Sequence, residues 1–179
     1  MQPVAHRRVV NVDGFEANLN GLMLPMGLRV DRVRIIGSGL QFSHDPFGVK
    51  TEEGGKLEVF VSEEDLAAFL NKSSPAGLKN VTVEAKNGML HIRATKTVLI
   101  DVKAYVVCTL RIVDGKKLFV DLESIELMGV GPKQLMQTQL DKINPVIDTE
   151  DFPVLAHLET VDVTQGGILL RGRVWPPEK

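Results

Sequence analysis

The chain has 179 residues and a net charge of −2, with 21 Lys and Arg against 23 Asp and Glu. Its length predicts one domain over residues 1–179, and a composition of 44% hydrophobic and 25% charged residues is globular, which excludes disorder and fibrous repeats. The balanced charge argues against binding to a polyanion such as nucleic acid through overall charge. No apolar run approaches the ~18 residues that span a bilayer, and the polar residues from Asn11 onwards interrupt any signal-peptide core. We therefore expect no targeting or membrane-spanning segment in the chain as given.

The N-terminal part of the chain predicts a tail, a helix and a strand in that order. Residues 1–14 are expected to form a flexible or strand-like tail. Apolar residues at helical spacing from Phe15 to Leu22 indicate a short helix. Alternating apolar residues over 28–36 then predict a strand, and Gly37-Ser38-Gly39 after it is typical of a turn.

The middle of the chain predicts two strands around a capped helix. Alternation over residues 57–61 predicts the first strand. In Ser62-Glu63-Glu64-Asp65 the serine can accept a hydrogen bond from a first-turn amide and the acidic residues favour the positive end of a helix, so a short helix is expected to begin here. Its apolar stripe is Leu66, Phe69 and Leu70. A second alternating segment over 81–85 turns at Asn87-Gly88, which predicts a hairpin.

The strongest pattern lies in residues 98–113, where every second residue is apolar, so a single long strand is expected. It ends at Asp114-Gly115, a strong hairpin signal, and the chain returns through an antiparallel partner. In that partner the apolar phase slips after Leu122, which predicts a bulge that curves the sheet.

The C-terminal third predicts a helix and a third hairpin. Pro132 near the start, Pro145 as a stop and an apolar set between them indicate the helix, and Gln165-Gly166-Gly167 marks the hairpin turn. With the elements upstream, the expected fold class is α+β: a long, strongly curved antiparallel sheet with two or three helices packed on one face.

The search for chemistry finds no catalytic set. The four histidines lie in unrelated contexts without metal-ligand spacing, so we expect no metal and no cofactor. Cys108 falls on the apolar phase of the long strand and is expected to be a core residue, and as the only cysteine it excludes a disulfide within the chain. Arg32 and Arg34 share one face of their predicted strand and could meet an anionic head group, the alternative being a solvated strand face.

What remains is a surplus of apolar strand surface beyond what short helices can cover. Such a surplus forms a pocket for an apolar ligand, closes against a protein partner or a second copy, or is buried by curling of the sheet itself.

Six segments between residues 27 and 174 carry a family resemblance: Gly27-Leu28-Arg29-Val30-Asp31-Arg32-Val33, Val61-Ser62-Glu63-Glu64-Asp65-Leu66, Asp141-Lys142-Ile143-Asn144-Pro145-Val146-Ile147-Asp148, Phe152-Pro153, Leu158-Glu159-Thr160-Val161-Asp162-Val163 and Gly166-Gly167-Ile168-Leu169-Leu170-Arg171-Gly172. In these segments the chain resembles the LmeA-like phospholipid-binding family of bacteria. It implies a lipid-binding module related in shape to tubular lipid-binding folds, in which a curved sheet wraps a helix and leaves an apolar groove. It also implies an extracytoplasmic or membrane-associated location, although the chain shows no signal peptide.

Two functional hypotheses follow. In the first, a non-enzymatic protein binds phospholipid or another acyl-chain ligand in a groove between sheet and helix, with peripheral membrane contact. The expected lining is Val102, Ala104, Val106 and Cys108 from the long strand and Leu135, Met136, Leu140 and Ile143 from the helix, with Arg32 and Arg34 as head-group partners. In the second, a structural or interaction module buries the same apolar face against a protein partner or in a homodimer. An enzyme would need clustered polar residues with perturbed pKa values.

Overall fold

Antiparallel strands make up most of the protein in the computed structural model, which describes residues 9–44, 47–51, 54–74, 77–97, 101–127, 138, 140–152 and 154–175. The strands are β1 (Val9–Met23), β2 (Arg29–His44), β3 (Phe47–Thr51), β4 (Gly55–Ser62), β5 (Leu78–Lys86), β6 (Met89–Thr97), β7 (Asp101–Val113), β8 (Lys117–Leu127), β9 (Ile147–Asp148), β10 (Ala156–Thr164) and β11 (Gly167–Val174). Helix α1 is Glu63–Ser73, and a 3-10 turn covers Thr149–Asp151.

These strands form two sheets. The first has the order β1-β2-β4-β11-β10, with β3 also paired to β2, and the second has the order β5-β6-β7-β8-β9. One cluster of buried side chains draws from both, for example Val59 and Leu170 from the first sheet and Ile92 and Val106 from the second. The two sheets therefore face each other across a shared apolar core.

The expected α+β architecture is wrong. Within the described part of the chain α1 is the one full-length helix, and a second helical stretch is seen only at 138 and 140–143. The apolar strand surface is covered mainly by another sheet, because a sheet face can be buried by a facing sheet as well as by helices. The prediction of a curved antiparallel sheet is confirmed, but the layer that packs on it is mainly a second sheet and not a set of helices.

The helix expected from Phe15 to Leu22 is also wrong, since these residues lie in β1. Every residue pair from Val9 opposite Ser43 to Met23 opposite Arg29 follows one antiparallel register with β2. Asn18, Asn20 and Gly21 are poor helix formers, so the local preference for a helix is weak and the long-range pairing with β2 prevails.

Gly37-Ser38-Gly39 is not a turn, because β2 continues through it to residue 44. The Phe15 ring from β1 packs directly over Gly37, where a Cβ atom would collide with it. The absence of a side chain at Gly37 therefore allows the aromatic ring to pack closely against the strand, and the glycine does not mark a chain reversal.

The three predicted hairpins are confirmed. Asp114 and Gly115 both have positive φ angles, 53° and 65°, in the three-residue turn of Asp114, Gly115 and Lys116 that joins β7 to β8. The predicted bulge is present too, because Val107 pairs with Ser124 and Cys108 with Leu122, which leaves Glu123 as the extra residue. Of the long strand predicted over 98–113, residues 101–113 form β7 and residues 98–100 lie outside the described range.

Helix α1 is confirmed and lies against β5. The Ser62 hydroxyl accepts a hydrogen bond from the Asp65 amide at 3.2 Å, which is the predicted N-cap. Farther along, the Asn71 side-chain amide donates to the Val81 carbonyl and accepts from the Val81 amide, both at 2.9 Å. Because β5 is the edge of the second sheet, α1 covers backbone groups that would otherwise be unpaired.

Candidate functional site

Two small apolar cavities lie between the sheets. The first has a volume of about 40 Å³ and is lined by apolar residues of α1, β5, β6, β7, β8 and β11, by Leu28 and Val146, and by Leu140 and Ile143. The second, of about 30 Å³, is lined by Leu70, Leu78, Val81, Ile92, Val106, Cys108 and Leu140. Three residues, Leu70, Ile92 and Leu140, belong to both, so the cavities adjoin each other and these side chains form the partition.

The strand alternation and the helical spacing explain why these side chains converge. In β5 the residues Val81, Val83 and Ala85 alternate with exposed or half-buried ones, which turns every second side chain toward the core. In α1 the residues Leu66, Phe69 and Leu70 lie on one face, and all three line the first cavity. The walls of the cavities therefore follow from ordinary local patterns.

The structure brings together part of the predicted ligand site. Val106, Cys108 and Leu140 meet at the second cavity, and Leu140 and Ile143 line the first. Ala104 is buried in the core and lines neither cavity. Val102 lies in β7, and its side chain is outside what the structure describes.

Two members of the predicted set, Leu135 and Met136, lie outside the described residues. The largest omission from the set is α1, which contributes Leu66, Phe69 and Leu70. Their stripe was visible in the sequence, but only the packing shows that a cavity lies beneath it.

Arg32 and Arg34 lie on the face of the first sheet that is turned away from the cavities. Val33, which lies between the two arginines, and Ile35, which follows Arg34, are buried in the core. Because side chains alternate along a strand, the arginines lie on the opposite face. Arg34 Nε donates to Glu16 Oε1 at 2.9 Å, a hydrogen bond that raises the pKa of the arginine. The Arg32 guanidinium lies 5.8 Å from the centre of the Phe60 ring. Their role as head-group partners stays a prediction.

Cys108 is a wall residue with no exposed surface. Burial, with a smaller contribution from the Asp121 carboxylate, raises the pKa of its thiol to about 12. The neutral thiol therefore behaves as a small apolar side chain at this position.

The described part of the interior contains few polar side chains. Among the described residues the one buried polar side chain is Thr149, and no group of three or more His, Cys, Asp and Glu side chains gathers in a metal-binding arrangement. None of the helices described is long and apolar enough to cross a bilayer. The arrangement can therefore exclude water and enclose an apolar group.

Comparison with known proteins gives one match. A family model described as LmeA-like phospholipid-binding matches residues 52–173, more than half of the chain. The match includes α1 and every cavity residue named above except Leu28, whereas Arg32 and Arg34 lie before it. Neither the curated proteins nor the solved structures that were compared contain a match.

Proposed function

Because the chain belongs to the LmeA-like phospholipid-binding family, we propose that it is a non-enzymatic protein whose core between the two sheets binds the acyl tail of a phospholipid. The observation that supports this most directly is the pair of adjoining cavities, whose walls are apolar at every lining residue that the structure describes. Each buried methylene of a tail would contribute ~0.8 kcal/mol to binding.

The two cavities are too small to hold an acyl tail without a change in the structure. About 40 and 30 Å³ are each well below the ~150 Å³ of a cavity that holds a ring as small as benzene. The walls must therefore separate when a tail binds. The side chains of Leu70, Ile92 and Leu140 have to move first, because they divide one cavity from the other.

Val106 and Val107 offer a matched pair of substitutions to test this proposal. Val106 lines the second cavity, and Val107, its neighbour in β7, is also buried but faces the other side of the sheet. Val106→Phe fills the space where a tail would lie, whereas Val107→Phe adds the same volume elsewhere.

The measurement is native mass spectrometry after incubation with phospholipid vesicles, with lipid extraction as a second readout. We expect the wild type and Val107→Phe to retain bound lipid and Val106→Phe to lose most of it. Circular dichroism shows whether each variant is folded. Equal lipid retention in two folded variants would refute the site, and absence of lipid from the wild type would refute the function.

A further inference from the structure

A wide cleft of about 600 Å³ opens at one end of the core. It lies where the start of α1 meets the turn between β5 and β6 and the turn between β10 and β11. Its polar lining consists of Glu63, Glu84, Lys86, Asn87, Thr164 and Gln165. The Glu63 amide donates to the Gly166 carbonyl at 3.0 Å, so the helix start and the β10–β11 turn are fixed to each other.

The cleft lies at the turn end of β5, the strand that also lines both apolar cavities. Along β5, Leu78 and Val81 line the second cavity, Val83 lines the first, and Ala85 lines the cleft. At ~3.3 Å per residue this stretch is roughly 20 Å long, which exceeds the ~15 Å of one leaflet of a bilayer core. A tail that lies along β5 with its polar end towards the β5–β6 turn would place that end at the cleft.

The charges at the cleft have both signs. Glu63 Oε1 accepts from the Ala85 amide at 2.7 Å, which holds this carboxylate at the wall. Glu84 forms an ion pair with Arg93 at 3.2 Å. Lys86 forms no ion pair with any residue that the structure describes. One carboxylate and one ammonium thus remain for a ligand, next to the neutral amides of Asn87 and Gln165.

We propose that this cleft is the head-group site of the protein and that it prefers a zwitterionic glycerophospholipid, with Lys86 at the phosphate and Glu63 at the amine of the head group. A head group with only a negative charge would be attracted by the Lys86 ammonium but repelled by the Glu63 carboxylate. The proposal rests on the tail site proposed above, and it adds the direction of the lipid and the class of its head group.

The test compares vesicles of phosphatidylcholine, phosphatidylethanolamine and phosphatidylglycerol with identical tails, with bound lipid counted by native mass spectrometry. We expect the wild type to take either zwitterionic lipid about two- to fivefold more readily than phosphatidylglycerol, within the range that one exposed ion pair gives. Glu63→Gln keeps an oxygen acceptor for the Ala85 amide and removes the charge, so this preference should disappear. Lys86→Gln should lower uptake of all three lipids relative to a fatty alcohol of the same length.

Lys116→Gln is the control, because Lys116 is also an exposed lysine, lies in the β7–β8 turn away from the cleft, and has only an exposed ion pair of 3.8 Å with Glu150. It should behave as the wild type does. Equal uptake of the three phospholipids by the wild type, or unchanged preferences in Glu63→Gln and Lys86→Gln, overturns the head-group site while leaving the tail site intact. A wild type that binds neither phospholipid nor fatty alcohol overturns both.

Discussion

Leu140→Ala is the most informative substitution in the core. Leu140 is 6% exposed and lines both cavities, so shortening it joins the two spaces. A buried Leu→Ala change costs ~2–5 kcal/mol, and the low half of that range applies here because Leu140 already borders empty space and makes fewer packing contacts. At ~2–4 °C per kcal/mol for a chain of this size, a loss of about 2.5 kcal/mol lowers the melting temperature by roughly 5–10 °C.

The assay is thermal unfolding with and without a fatty alcohol that fits the enlarged space. A ligand at 100 times its Kd restores ~2.7 kcal/mol, so the variant should recover most of its stability and gain more than the wild type does. Leu155→Ala is the control, because Leu155 is 75% exposed and the same substitution there should change stability by less than ~0.5 kcal/mol. A loss below about 1 kcal/mol in Leu140→Ala, or recovery no greater than that of the wild type, would show that Leu140 does not separate two cavities.

Three further predictions concern the elements that shape the core. Asn144→Ala removes hydrogen bonds to both the amide and the carbonyl of Val120 and should cost about 2–3 kcal/mol in urea unfolding; an unchanged midpoint would contradict this pairing. Gly37→Ala places a Cβ against the Phe15 ring and should lower the melting temperature, an effect that a second change, Phe15→Leu, should partly relieve. Because the pKa of the Cys108 thiol is about 12 in the folded protein against an ordinary 9.0, the contribution of this thiol to stability should be constant below pH 9 and fall as the pH rises from about 9 towards 12. A Cys108→Ala variant with the same decrease would contradict that cause.

Local signals in the sequence identified the features that depend on neighbouring residues. Asn87-Gly88 and Asp114-Gly115 specify their turns through backbone angles, and Ser62 specifies the start of α1 through one hydrogen bond. The shift of apolar phase after Leu122 likewise located the bulge. Each of these needs only a few adjacent residues, so each could be predicted.

Features that depend on distant residues were missed. The apolar spacing from Phe15 to Leu22 suits a helix as well as a strand, and only the partner β2, beginning at Arg29, decides between them. In the same way, alternation in β7 showed that Val106 and Cys108 face inward but not that a second sheet and α1 lie opposite. The cavity walls contributed by α1 and β5 were therefore left out of the predicted site.

Two asparagines explain how the helical segments come to form these walls. Asn71 of α1 pairs with both backbone groups of Val81 on the edge strand β5, and Asn144 pairs in the same way with Val120 of β8, beyond the short pairing with β9. Each side-chain amide replaces a missing strand neighbour. Its helical segment is thereby held against the second sheet, which directs Leu70 on one side and Leu140 on the other into the space between the sheets. The asparagine hydrogen bonds that satisfy backbone groups at the sheet edges thus also position the apolar walls of the cavities.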